Sequence, residues 1–140
     1  MGIFISIDYG TKKIGLATTD VKKLIASGLG TIQTKEIISY LKKYNEENPI
    51  EKFIVGEPKQ RDGSPSNIET EIISFINLLN INFPKISIER YDERYTSKIS
   101  SDLLKKSGLK KKKRKNKNLI DKISATIILQ SYLESKNKKS

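Results

Sequence analysis

The gap between the first two apolar runs constrains this chain more than any other feature. Ile3, Phe4, Ile5 and Ile7 make the segment from Gly2 to Ile7 almost continuously apolar, and Ile14-Gly15-Leu16-Ala17-Thr18 forms a second run. A continuous apolar run reads as a strand buried on both faces, and therefore as a central one. Between the two runs stand only Asp8-Tyr9-Gly10-Thr11, which has turn chemistry, and Lys12-Lys13. That is too little chain for a parallel crossover, so the second run pairs as a hairpin. Gly28 to Ile32 extends the meander as a weaker third strand.

The apolar period then changes. Thr34 is a candidate N-cap, followed by Ile37, Ile38, Leu41 and Tyr44 at helical spacing, and Asn48-Pro49 ends that helix. Phe53-Ile54-Val55-Gly56 is a fourth short buried strand, leading into Glu57-Pro58 and a polar loop through Asp62-Gly63-Ser64-Pro65. Ser66-Asn67-Ile68-Glu69 has the spacing of a capping box ahead of a helix carrying Ile72, Ile73, Phe75, Ile76 and Leu79. Ile86-Ser87-Ile88 is a fifth strand running to Asp92-Glu93-Arg94. Thr96 could cap a short helix with Ile99, Leu103 and Leu104, stopped at Gly108. A last helix starts near Asn118 or Leu119 and reaches about Leu133. This order predicts an α/β fold with a mixed five-stranded sheet flanked by helices. Strands 1–3 form an antiparallel meander, and strands 4 and 5 arrive through helical crossovers. Residues 1–134 form one domain, and 135–140 a basic, frayed tail.

Composition narrows the chemistry. The 140 residues include no Cys and no His, which excludes disulfides, thiol catalysis, His general bases and His- or Cys-ligated metals. Lys and Arg total 27 against 16 Asp and Glu, a net charge of +11. A small domain this basic reads as a partner for a polyanion, nucleic acid first. Lys110 to Lys117 holds seven cations in eight residues and supplies most of that excess. The run also fits a solvated loop, and the richness in Lys, Ile and Asn throughout fits a coding bias. The opening segment is too soon interrupted by charge for a signal peptide, and no apolar run has the ~20 residues of a membrane span, so a cytoplasmic protein away from membranes is expected.

Catalysis must then rest on carboxylates. Asp8 ends the central strand, at the edge where ligands gather on open α/β sheets, and Gly10 permits a tight turn beside it. Asp8 also fits a purely turn-forming role. Asp92 and Glu93 follow the fifth strand; neighbours on a strand point to opposite faces, so at most one of them joins Asp8 directly. Both also fit an exposed charged turn. Arg94 could offset their charge or bind phosphate. Asp121 shares a helical stripe with Ala125, Ile128 and Tyr132, a costly place for a carboxylate unless it is paired or binds metal, although Asn118 to Asp121 also resembles a capping box. Converging acids without His suit oxygen-ligated Mg²⁺ or Mn²⁺, which can drive phosphodiester hydrolysis.

Four motifs, in one order from Met1 to about Leu133, resemble those of the YqgF (RuvX-like) family. They are Asp8-Tyr9-Gly10-Thr11-Lys12-Lys13-Ile14-Gly15-Leu16-Ala17; Val55-Gly56-Glu57-Pro58 with Asp62-Gly63; Asp92-Glu93-Arg94-Tyr95-Thr96-Ser97; and Ile120-Asp121-Lys122-Ile123-Ser124-Ala125 with Ile128-Leu129-Gln130-Ser131-Tyr132-Leu133. The resemblance implies an RNase H-like fold related to the junction resolvase RuvC, and a metal-dependent nuclease that matures the end of the small-subunit ribosomal RNA precursor. It implies Asp8, Glu93 and Asp121 as catalytic acids and Mg²⁺ or Mn²⁺ ligands, with Asp92 as an additional acidic candidate. Glu57, at the end of the fourth strand where RNase H-like nucleases often carry an acid, is a further candidate that also fits an exposed loop residue. Lys12, Lys13, Arg94, Lys111, Lys112, Lys113, Arg114 and Lys115 would hold the substrate backbone. Lys13 stands where the family usually has Arg, and Glu57 where it usually has Leu. The implied partners are ribosomal RNA precursor, a four-way DNA junction as the alternative, and the small-subunit precursor. The chain would act as a monomer or homodimer. A non-cutting RNA-binding assembly factor is the competing class.

Overall fold

The computed structural model describes residues 2–20, 22–23, 25–96 and 117–137; for 95–96, 117–123 and 137 it describes the backbone alone. The described strands are β1 (Ile3–Asp8), β2 (Lys13–Thr19), β3 (Ala26–Gln33), β4 (Ile50–Glu57) and β5 (Ser87–Asp92). The helices are α1 (Ile37–Glu47), α2 (Glu69–Asn82) and α3 (Lys117–Asn137). The strands form one sheet in the order β3-β2-β1-β4-β5, with β1 central. β1, β2 and β3 pair antiparallel, while β4 and β5 join parallel to β1. This is the topology expected from the short first gap and the helical second half.

Gly10 closes the β1–β2 turn, where a Cβ would collide with the Lys13 carbonyl oxygen. Thr34 staples this turn to the end of β3: its hydroxyl donates to the Gly10 carbonyl at 2.7 Å and its N–H to Lys12 at 2.9 Å. Thr34 does not cap α1, which begins at Ile37 after a 3₁₀ turn over Thr34–Glu36 and has Glu36 at its N-cap. The capping box before α2 does not form either. Its N-cap is Ile68 without a side-chain hydrogen bond, and Ser66 Oγ is buried without a partner. β5 begins at Ser87 and continues to Asp92, so Asp92 lies in the strand and Glu93 opens a 3₁₀ turn over Glu93–Thr96. α3 continues to Asn137, beyond the expected end near Leu133. The helix expected over Thr96 to Gly108 falls outside the described residues.

The sheet separates two cores. Alternation along β1 sends Ile5 and Ile7 to one face, where Phe53 and Val55 of β4 meet Ile37 and Leu41 of α1 and Ile72, Phe75 and Leu79 of α2. Phe4 faces the other way, with Ile54 and Ala17 against Ala125, Ile128, Leu129, Tyr132 and Leu133 of α3. The expected apolar stripe Ala125, Ile128, Tyr132 is therefore the face α3 buries.

Candidate active site

The carboxyl ends of β1, β4 and β5 lie side by side. Ile7 pairs with Val55, and Glu57 with Asp92, which brings Asp8, Gly56 and Asp92 to one edge of the sheet. The face each side chain takes follows from the pleat. Ser6 Oγ donates to the Ala125 carbonyl of α3 at 2.6 Å, so the period of two assigns Asp8 to the α3 face as well. On α3, position 121 stands one helical turn before Ala125 on the same stripe; the Asp121 side chain lies outside the described residues. The strand and the helix run antiparallel, with the Phe4 ring edge-on to Tyr132 at 6.1 Å and Ser6 against Ala125. Asp8 and position 121 thus come next in the same progression toward the strand ends.

Glu93 completes this edge. A Cβ built on Gly56 would stand 2.9 Å from Glu93 Oε2 and 3.0 Å from Ile128 Cδ1. The Glu93 carboxyl therefore lies over the bare Gly56 backbone, between β4 and α3, in space that only glycine leaves open. Burial there pushes its pKa up to about 7; the Arg90 guanidinium opposes this and the Asp92 charge adds to it.

Asp92 has a different setting. Its carboxylate takes the Arg94 guanidinium at 2.8–3.2 Å and the Arg94 N–H at 2.9 Å, with Lys59 Nζ at 3.8 Å. Arg94 holds it below the usual carboxylate range. Two adjacent acids thus part: the 3₁₀ turn after β5 sets Glu93 over Gly56, while the largely covered Asp92 carboxylate stays paired with Arg94. Arg94 is engaged by Asp92, and its side chain stays exposed. Glu57 is half-buried and stands 3.6 Å from Lys59, which bridges it to Asp92. Lys12 and Lys13 are exposed on the β1–β2 turn beside Asp8. Lys111 to Lys115 lie outside the described residues.

Sequence reasoning missed Arg90. Its guanidinium binds Glu69 of α2 twice at 2.9 Å and donates to the Val55 and Gly56 carbonyls at 3.3 and 3.1 Å. It fastens the end of β4, and with it Gly56, to the start of α2, and holds Glu69 below the usual carboxylate range. The available signal was a cation inside a short strand. Among the described residues no three acids gather closely enough to enclose an ion. The described members, Asp8 and Glu93, share an edge that the side chain at 121 would join.

The RuvX family model, described as Holliday junction resolvase, matches residues 2–135. A Phocaeicola vulgatus protein named "Putative pre-16S rRNA nuclease" is 48% identical over 136 residues, 97% of this chain and 98% of that protein. A relative of the same name from Christiangramia forsetii is 48% identical over 133 residues, 95% of this chain and 98% of that one. Among solved structures, Thermus thermophilus RuvC superposes with a TM-score of 0.62 at 13% identity, covering 96% of each chain. The fowlpox virus Holliday junction resolvase gives 0.54 at 23% identity, over 95% of this chain and 98% of that one. At such identities the superpositions bear on the fold, which is the RNase H-like mixed sheet that the motifs implied.

Proposed function

Because this chain belongs to the RuvX family, whose model spans residues 2–135, we propose that it is a metal-dependent endonuclease that trims the end of the small-subunit (16S) ribosomal RNA precursor. Asp8, Glu93 and Asp121 are its catalytic acids. The observation that carries this reading is the seating of the Glu93 carboxyl over Gly56, at the same sheet edge as Asp8 and on the face covered by α3. A structural carboxylate has no need of a buried place at the ligand-binding edge of a parallel sheet.

The donor set suits a hard divalent cation. It consists of carboxylate oxygens in a chain without His or Cys, and Glu93 is a buried acid whose ionised form calls for a neighbouring positive charge. Asp8, Glu93 and Asp121 would hold Mg²⁺ or Mn²⁺. Such a cation supplies Lewis-acid polarisation of the phosphodiester and a more acidic attacking water. With its pKa pushed up to about 7, Glu93 would have to give up its proton to hold such a cation. Arg90 keeps the end of β4, and so the open space above Gly56, in place. Lys12 and Lys13 hold the backbone of the substrate strand, and the cations from Lys111 to Lys115 extend that grip. The protein works in the cytoplasm on RNA of the assembling small subunit.

The test is cleavage of a labelled ribosomal RNA precursor end and of a four-way DNA junction, with Mn²⁺, Mg²⁺ or chelator. The wild-type chain is expected to cut the RNA only with a divalent ion, and Asp8→Asn to bind it without cutting. Metal-dependent cutting of the junction alone would transfer the protein to recombination. Binding without cutting under every condition, with precursor particles included, would make it an assembly factor.

A further inference from the structure

Two concavities meet beside this edge, and they differ in chemistry. One, of about 340 Å³, is lined by Thr11, Lys12, Lys13, Gln33, Thr34 and Lys35. The other, of about 430 Å³, lies between α1 and α2 and is mainly apolar, with Tyr9, Ile38, Phe75 and Leu78 among its walls. Thr34 and Lys35 belong to both, so the cationic hollow adjoins the apolar one across these two residues. The first is rigidly framed, because Thr34 ties the β1–β2 turn to β3 through Gly10 and Lys12. The second is framed by the Tyr9 ring packed on Phe75 at 5.1 Å. The Thr11 hydroxyl bonds Glu71 of α2 at 3.1 Å across their rim.

We propose that these joined hollows form a subsite for one unstacked nucleotide of the substrate strand, with its base in the apolar hollow and its phosphate among Lys12, Lys13 and Lys35. This deepens the nuclease reading and rests on it in taking nucleic acid as the ligand. Charge complementarity argues for the occupant. Lys12 and Lys13 on one side, with Lys35 at the junction, call for an anion, while Tyr9, Ile38, Phe75 and Leu78 on the other offer an apolar wall. A nucleotide carries both halves at that separation, and proteins that hold single strands combine an aromatic surface with a cationic track in this way. The Thr70 and Ser74 hydroxyls and the Glu71 carboxylate on the lip provide acceptors for the N–H groups of a base edge.

The location fits a strand that passes over the sheet edge. Asp8 belongs to the α3 face, and Tyr9, the next residue, packs against Phe75 on the α1/α2 face. A strand cut on the first side would set a neighbouring nucleotide on the second. A continuous duplex cannot enter, since its bases are stacked and paired. The subsite therefore selects single-stranded or frayed substrate next to the cut.

Binding in chelator, where nothing is cut, tests this separately from catalysis. The probes are a short fluorescein-labelled single-stranded RNA and the same strand annealed to its complement. Ser74 and Thr70 are exposed on α2, so Ser74→Trp, and independently Thr70→Trp, fill the apolar hollow without touching the core. Each is expected to weaken single-strand binding roughly tenfold and to leave duplex binding unchanged. Lys35→Ala is expected to reduce the slope of log affinity against log salt by about 0.7 on the single strand. Lys85→Ala, on the turn before β5 at the far end of the sheet, is expected to leave it unchanged. Folded Trp variants that bind single strands like wild type would overturn the subsite. So would equal losses on both probes, a Lys35→Ala slope matching that of Lys85→Ala, or a wild-type chain that binds no RNA. A chain that never cuts, but gives the expected binding pattern, would sink the nuclease reading and leave the subsite standing.

Discussion

The two faces of the sheet are packed by different means. Between the sheet and α1/α2 the contacts are large and apolar, built on Ile5, Ile7, Phe53, Val55, Ile72, Phe75 and Leu79. Between the sheet and α3 they are smaller and interrupted by polar groups. Ser6 is fully buried against the Ala125 carbonyl, the Tyr91 hydroxyl meets Ser131 at 2.7 Å, and the Tyr132 hydroxyl lies between Lys52 and Glu89 at 3.0 and 2.7 Å. Small residues, Ala17, Gly56 and Ala125, leave room for them. The first face supplies stability through burial. The second gives up part of that burial so that carboxylates can stand at its end.

Substitutions on each face can break or sharpen this contrast. The largest loss is expected from Phe53→Ala, about 3–5 kcal/mol by urea unfolding, because Phe53 is fully buried in the apolar core. Cleavage per folded molecule should stay near wild type at low temperature, and a catalytic defect there would dissolve the division of labour. Next comes Glu93. Its folded pKa lies above the unfolded value, so the folded state binds the extra proton and stability falls as pH rises from about 4.5 to about 7. In chelator, Glu93→Gln should remove that fall and be more stable than wild type above pH ~7, by up to about 3 kcal/mol. Identical pH profiles for the two chains would refute the buried setting. Gly56→Ala puts a methyl against the Glu93 carboxyl and Ile128, with an expected cost of about 1–3 kcal/mol. It should also reduce cleavage roughly tenfold or more, if the displaced group is the catalytic acid proposed above. Full activity in that variant would separate Glu93 from the chemistry. Ser6→Ala removes one buried hydrogen bond and is expected to cost about 1 kcal/mol, read as a small fall in denaturation midpoint.

Much of this was legible beforehand. The continuous run in β1 and the short step to β2 led to the central strand and the hairpin, because periodicity and loop length are local properties. The stripe of α3 was readable for the same reason. The capping assignment at Thr34 failed because tertiary contacts fasten Thr34 to Gly10 and Lys12, partners distant in sequence, and that at Ser66 because α2 starts later, with Ile68 at its N-cap. The choice between Asp92 and Glu93 was open, because alternation on a strand allows either. The 3₁₀ turn decided it by ending the alternation at Glu93.

What the sequence by itself determined is the inventory: a carboxylate at the end of the central strand, a second acid pair after the fifth, a third on the buried stripe of the last helix, and no imidazole or thiol to offer other chemistry. Its motifs also sufficed for the family. Only the tertiary structure decided which acid of the pair lies over Gly56, that Arg90 clamps β4 to α2, and that a cationic hollow adjoins an apolar one beside Tyr9. The reason is physical. Residue type and spacing fix what a side chain can do and which face of its own element it takes. Burial, pKa and the shape of a cavity depend on several elements arriving at one place, and no single segment of the chain contains that information.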